Sequence, residues 1–317
     1  MFRQDRTNPS TAVSTWKARK DLPRANPSTA VSNWLNGGLG DSFTAITATG
    51  GTIADFTYSG VLYRGHTFNA SGTFEITANP DAHTFDVLQY AGGGGRASSH
   101  NRNGGGGGGG EKDTEDVAGT VESFTVTIGA GGQVGGITSF KGASWTDTFF
   151  CTGGQNIGGA STYHGGGDSG ISIVQSSTPS PTYGRDAGPG GYAGGTQVGN
   201  NAGAGGGGAG SAGTSVTSTN GGNGGYGTTH AEYGVGGKGG GGGGGQGCVA
   251  QSWGYGYGQD GGGNGGLSAW APGGGGPGSA GTANTGGGAG GNGCNQPGST
   301  MYGGSGFLIV RYALEAV

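Results

Sequence analysis

Between residues 41 and 91 the apolar positions fall into short alternating runs: Phe43-Thr-Ala-Ile-Thr-Ala48, Ile53-Ala-Asp-Phe-Thr-Tyr58, Tyr63-Arg-Gly-His-Thr-Phe68, Thr73-Phe-Glu-Ile-Thr77 and Phe85-Asp-Val-Leu-Gln-Tyr90. Each is rich in β-branched and aromatic residues and is bounded by Gly, Asn-Pro-Asp or Ser-Gly, which predicts strands joined by hairpins. Two further strands are expected. In 121–128, Glu122, Phe124, Val126 and Ile128 face one way and Val121, Ser123, Thr125 and Thr127 the other. The second, within the terminal segment 307–317, is the continuous apolar run Phe307-Leu-Ile-Val-Arg-Tyr312, as for a strand buried on both faces. A small β scaffold at 41–91 would thus be closed from the far end of the chain.

From 92 to 306 this periodicity gives way to glycine. The chain has 88 glycines in 317 residues, far above the usual share of about 7%. Only 10% of residues are charged, whereas ordinary disorder combines low hydrophobicity with high charge. A collagen helix is excluded by the missing every-third-residue glycine and the few prolines. The runs near 92–95, 104–110, 188–210, 221–245, 261–266, 273–278 and 286–293 are expected to form polyglycine II helices. Such a helix has three residues per turn and no internal hydrogen bonds, so its N–H and C=O groups must pair with neighbours. Without Cβ atoms those neighbours can come close enough. The expected class is therefore mostly β and irregular: a β scaffold plus a bundle of packed polyglycine helices.

Residues 1–40 are different again. Asn8-Pro-Ser-Thr-Ala-Val-Ser-Thr-Trp16 returns as Asn26-Pro-Ser-Thr-Ala-Val-Ser-Asn-Trp34. Asn-Pro is a helix-start signal, and Val13 with Trp16, like Val31 with Trp34, lies three apart on one face. A two-turn helix is unstable alone in water. The expectation is a docking arm whose two copies engage equivalent sites on a neighbouring assembly; folding back on the chain's own domain is the rival. The arm holds six basic and two acidic residues, a net of +4, and the remainder eight basic and sixteen acidic, a net of −8. Such a body would repel a nucleic-acid backbone, while the arm suits an acidic protein partner.

Four segments, in order, carry a family resemblance: His66-Thr-Phe-Asn-Ala-Ser-Gly-Thr-Phe74, Leu88-Gln-Tyr-Ala-Gly-Gly-Gly-Gly95, Phe124-Thr-Val-Thr-Ile-Gly-Ala-Gly-Gly132 and Gly303-Gly-Ser-Gly-Phe-Leu-Ile-Val-Arg-Tyr312. Over residues 58–312 the chain resembles the glycine-rich domain of bacteriophage tail-fibre and virion proteins. It is also similar to phage fibre-tip adhesins, in which loops between packed polyglycine helices contact the host. The resemblance implies a virion (tail) protein assembled in the host cytoplasm. Its partners would be other virion proteins and a host surface protein or glycan, with a homo-oligomer such as a trimer compatible. On that reading Trp145, Phe149, Phe150, Tyr163, Trp253, Tyr255, Tyr257 and Trp270 are candidate receptor contacts, since Trp and Tyr supply rigid amphipathic area. The alternative is that these aromatics cap the bundle. A purely structural virion component, and a cellular glycine-rich or ice-binding protein, are the rival functions; irregular Trp-bearing loops suit an ice surface poorly.

No catalytic residue, cofactor or metal site is expected. Gly-x-Gly-x-x-Gly arises by accident at this composition and has no following helix or ribose-binding acid. Lys238 precedes glycine where a phosphate loop needs Ser/Thr. Ser169 in Gly167-Asp-Ser-Gly170 reads as a turn, with no His/Asp pair to activate it. Glu111-Lys-Asp-Thr-Glu-Asp116 could attract a cation but reads as a solvated loop. Cys151, Cys248 and Cys294 are odd in number and widely spaced, which predicts inert thiols and no disulfide framework. Neither a signal peptide nor a membrane-spanning apolar run is expected.

Overall fold

A computed structural model describes residues 43–95, 104–146, 148–155, 172–175 (backbone), 202–216, 220–247, 254–271, 275–296 and 300–316. The arm with Val13, Trp16, Val31 and Trp34, and the Ser169, Tyr163 and Trp253 segments, lie outside them. The strands are β1 Thr47–Thr49, β2 Thr52–Tyr58, β3 Val61–Phe68, β4 Gly72–Ala78, β5 Thr84–Tyr90, β6 Glu111–Ala118, β7 Ser123–Thr127, β8 Thr138–Gly142, β9 Thr148–Cys151, β10 Ser172–Gln175, β11 Thr228–His230, β12 Val235–Lys238 and β13 Phe307–Ala313. The helix among the described residues is one 3-10 turn, Ala231–Tyr233, and none is long and apolar enough to cross a membrane.

Two antiparallel sheets, ordered β1-β4-β7-β8-β9-β10 and β2-β3-β13-β5-β6, pack face to face, while β11 and β12 form a separate hairpin. The pleat delivers Phe74, Phe124, Phe140 and Phe149 from the first sheet against Phe85, Val87, Leu308 and Val310 from the second. Phe85 meets Phe124 edge-on at 5.4 Å and Phe140 at 5.9 Å between ring centroids, a favoured arrangement of ring quadrupoles. β13 lies between β3 and β5. Its other face joins Phe307 and Ile309 to Leu88, Tyr90, Tyr233 and Val235 beneath the hairpin. That double burial explains its unbroken apolar run.

Three expectations are corrected. Glu111–Asp116 is not a solvated loop: it lies in β6, with Glu111, Lys112, Asp113 and Thr114 all buried. Within the run 221–245, expected as polyglycine helix, residues 228–238 instead form β11, the 3-10 turn and β12. Cys294 is disulfide-bonded while Cys151 is a buried free thiol; chain spacing says nothing about which residues the fold brings together.

Glycine segments leave the sandwich where its strands end. β5 runs into 91–95, 104–110 runs into β6, and 300–306 runs into β13. The Tyr90–Glu111 pairing of β5 with β6 continues as Ala91 N–H to Gly110 O. Beyond that point the bonding changes symmetry. Gly105 and Gly108 donate to Ala204 and Gly207, Gly106 and Gly109 to Ala289 and Gly286, and Gly107 and Gly110 to Gln155 and Thr152. Each third residue returns to the same neighbour, and the two between serve two others. A strand bonds to two sides; these segments bond to three.

The segment 239–246 is the hub. Its N–H groups at Gly241 and Gly244 reach Gly225 and Gly222, those at Gly243 and Gln246 reach Gly263 and Gly266, and that at Gly242 reaches Gly106. Its carbonyls accept from Gly203, Gly206, Ala209, Gly288, Gly291 and Cys294. A Cβ built on Gly241, Gly242, Gly243, Gly244 or Gly245 would fall under 3.0 Å from the backbone carbonyl of Gly206, Ala289, Gly256, Gly203 or Asn292 respectively. Here glycine is required by close approach.

Gly242→Ala should therefore cost about 3 kcal/mol, the upper range for overpacking. Gly236→Ala, where nothing lies within 4 Å of the new Cβ, should change stability by less than about 1 kcal/mol. Urea denaturation of both variants checks the contrast; equal effects would contradict the close-approach explanation.

Candidate functional site

Outward positions of the glycine segments are where side chains reappear. Gly221 and Gly224 donate to the carbonyls of Gly254 and Tyr257, so 221–227 and 254–260 run side by side in the same direction. On this edge Asn220 Oδ1 accepts from Gly254 N–H at 3.1 Å, Asn223 Oδ1 from Tyr257 N–H at 2.9 Å, and Asp260 Oδ2 from Gly227 N–H at 2.8 Å. Polar side chains thus satisfy the amides of an outer segment. Among them stand Tyr226 (61% exposed) and Tyr257 (57%), the latter with its ring 5.3 Å from that of Tyr255. Trp270 (57%) and Tyr302 (54%) are also open to solvent.

The sequence candidates divide. Tyr257 and Trp270 are exposed, and Tyr255 and Phe150 are half-buried. Phe149 belongs to the sandwich core, and Trp145 packs edge-on against Phe124, Phe140 and Phe149 at 5.4, 5.9 and 5.1 Å. For Phe149 the expected contact role is corrected: its strand points it inward, between the sheets. Tyr226 and Tyr302 are exposed aromatics that the sequence candidates did not include; for Tyr226 its place between Gly225 and Gly227 was the available signal.

A second constellation lies beneath the β11–β12 hairpin. Alternation along β6 turns Glu111 and Asp113 to the face opposite Lys112, whose ammonium sits 5.9 Å from the Phe149 ring centroid. His230, at the end of β11, enters between the carboxylates. Its Nε2 is 2.7 Å from Glu111 Oε1, and its Nδ1 is 2.8 Å from Glu232 Oε1 and 3.7 Å from Asp113 Oδ2. Tyr233 donates its hydroxyl to Asp113 Oδ1 at 2.6 Å. Thr228 donates to Glu111 Oε2 and lies 2.5 Å from the Tyr90 hydroxyl. Arg311 pairs with Asp86 at 2.9 Å, stacks 4.4 Å from the Tyr233 ring centroid, and donates to the Glu232 carbonyl. Asp113, His230 and Glu232 each offer a ligand atom, all within 4.8 Å of one another.

Burial pulls the His230 imidazole down, but the hydrogen bond and charge of Glu111, helped by Glu232 and Asp113, outweigh it and raise it to about 9. Burial pushes the Asp113 carboxyl up to about 6, against the Tyr233 hydrogen bond and the His230 charge. Both values lie above the ordinary 6.5 and 3.8. The stability from protonated His230 is complete below about pH 6.5 and fades as pH rises through about 9. Raised Asp113 lowers stability as pH climbs from about 3.8 to about 6 and adds no further change above that, so the two effects share a direction in successive pH ranges. In chelator-containing buffer the urea midpoint should fall between pH 6.5 and 9.5, and His230→Gln should flatten that fall. A wild-type midpoint flat across this range would contradict the assignment.

No curated protein matches the chain significantly. A family model does: the glycine-rich domain, over residues 67–313. That span begins in β3, ends with β13, and takes in both the segments bonded on three sides and the strands that close around them. The chain belongs to the glycine-rich domain family.

Proposed function

We propose that this chain is a bacteriophage virion protein, a tail fibre or fibre-tip adhesin that contacts the host surface through aromatic side chains on the glycine bundle. Residues 1–40 would dock it to other virion proteins through Val13, Trp16, Val31 and Trp34. We read the segments bonded on three sides as polyglycine II helices, whose three residues per turn match the recurrence of hydrogen-bond partners. One observation carries the adhesin reading. The bundle interior is built mainly of glycine backbone, while Tyr226, Tyr257, Trp270 and Tyr302 stand exposed on its outside. A stiff backbone lattice with rigid aromatics limited to its surface suits recognition, because ordering the site costs little on binding. The inward packing of Trp145 and Phe149 favours a second reading, a purely structural fibre connector or head decoration protein.

Adsorption of the labelled full chain to candidate host cells separates the two. Replacing Tyr226, Tyr257 and Trp270 together by alanine should lower cell binding more than ten-fold and leave the melting temperature within about 2 °C, since exposed substitutions cost little. Phe149→Ala should instead cost about 3–5 kcal/mol of stability. Wild-type adsorption by the triple variant would favour the structural reading.

A further inference from the structure

The geometry points to a binding site for a divalent first-row transition ion, Zn2+ foremost, held by His230 Nδ1, Asp113 Oδ2 and Glu232 Oε1. Neither the family assignment nor the adhesin reading requires such a site.

The donor set comes first. One imidazole nitrogen with two carboxylate oxygens suits zinc and its neighbours, whereas calcium takes six to eight oxygens. Ligands about 2.0–2.2 Å from a tetrahedral ion lie about 3.4 Å from one another. The 2.8 Å and 3.7 Å separations from Nδ1 to Glu232 and Asp113 straddle that spacing, so a small rotation of either carboxylate would seat the ion.

The outer partners are already in place. Glu111 accepts from Nε2, which leaves Nδ1 as the coordinating nitrogen once its proton is displaced. A carboxylate on the far nitrogen of a ligand histidine fixes the ring and raises its basicity. Tyr233 holds Asp113 Oδ1, directing Oδ2 toward Nδ1. Arg311 holds the backbone carbonyl of Glu232.

Burial and charge add to the donor geometry. The Asp113 side chain is 7% exposed, and its Oδ2 faces Nδ1 at 3.7 Å, beyond hydrogen-bond range. Among the described residues, the carboxylates of Glu111, Asp113 and Glu232 all converge on His230. Glu232, the most exposed at 27%, gives a way in. An ion here would tie β6 to the hairpin turn across more than a hundred residues, pinning the hub's entry to the sandwich.

Untagged full-length chain, stripped with chelator, is titrated with Zn2+ by calorimetry at pH 7.5 and melted with and without the metal. We expect one ion per chain and, at saturating zinc, a melting temperature about 5 °C higher. Asp113→Asn and Glu232→Gln should each weaken binding at least ten-fold, while Glu75→Gln on exposed β4 leaves it unchanged. Glu232→Gln keeps side-chain volume at a partly open position, so its folding, checked by circular dichroism, should persist. Binding weaker than about 1 mM, or wild-type affinity in both ligand variants, would overturn the site; the cluster would then be complete as an ion-paired network. Calcium binding as tightly as zinc would also overturn it.

Discussion

The hydrogen bond between two bare backbones, made where no Cβ stands between them, is the contact on which this molecule depends. At Gly242 the neighbouring Ala289 carbonyl occupies the space a side chain would need. One such bond is worth only about 0.5–1.5 kcal/mol net, and ordering a residue costs at least as much. The arrangement is stable because bonds run in three directions from each segment and because the segments start and end in a hydrophobic sandwich. β5, β6 and β13, adjacent in one sheet, feed 91–95, 104–110 and 300–306 directly into the lattice. The apolar core thus sets the register from which the glycine segments propagate.

Much of the sandwich was legible in the sequence. Alternation identified β7, and the unbroken apolar run of β13 correctly implied burial on both faces. β6 was not legible, since Glu-Lys-Asp-Thr-Glu-Asp has the composition of a surface loop. It is buried because Glu111 and Asp113 find His230 and Tyr233 more than a hundred residues away, and no local pattern encodes such a pairing. The same limit applies to Phe149: an aromatic in a Gly-poor stretch looks alike whether its strand turns it outward or inward. Composition announced that glycines would pack, but not which segments would meet, because a row of glycines carries no side chains to distinguish one register from the next.

The construction separates scaffolding from surface chemistry, which most domains combine. Interior positions of the lattice are mostly glycine, with Ala202, Ala204 and Ala289 as small buried exceptions and Gln246, Ser268 and Asn292 as polar ones. Outer positions carry Asn220, Asn223, Asp260 and the exposed tyrosines, and their substitution leaves the interior contacts alone. A surface of this kind can change chemically while the scaffold stays fixed, which is the property a recognition protein needs. The charged cluster under the hairpin serves the scaffold, securing Thr228–Lys238 to the sandwich immediately before the hub begins.

Amide hydrogen exchange with selective glycine labelling tests the central claim most directly. If the hub is held by backbone bonds on three sides, the amides of Gly241–Gly244 should exchange as slowly as those of β13, through global unfolding. Exchange of these glycines at the rate of an open coil, with β13 still protected, would contradict it.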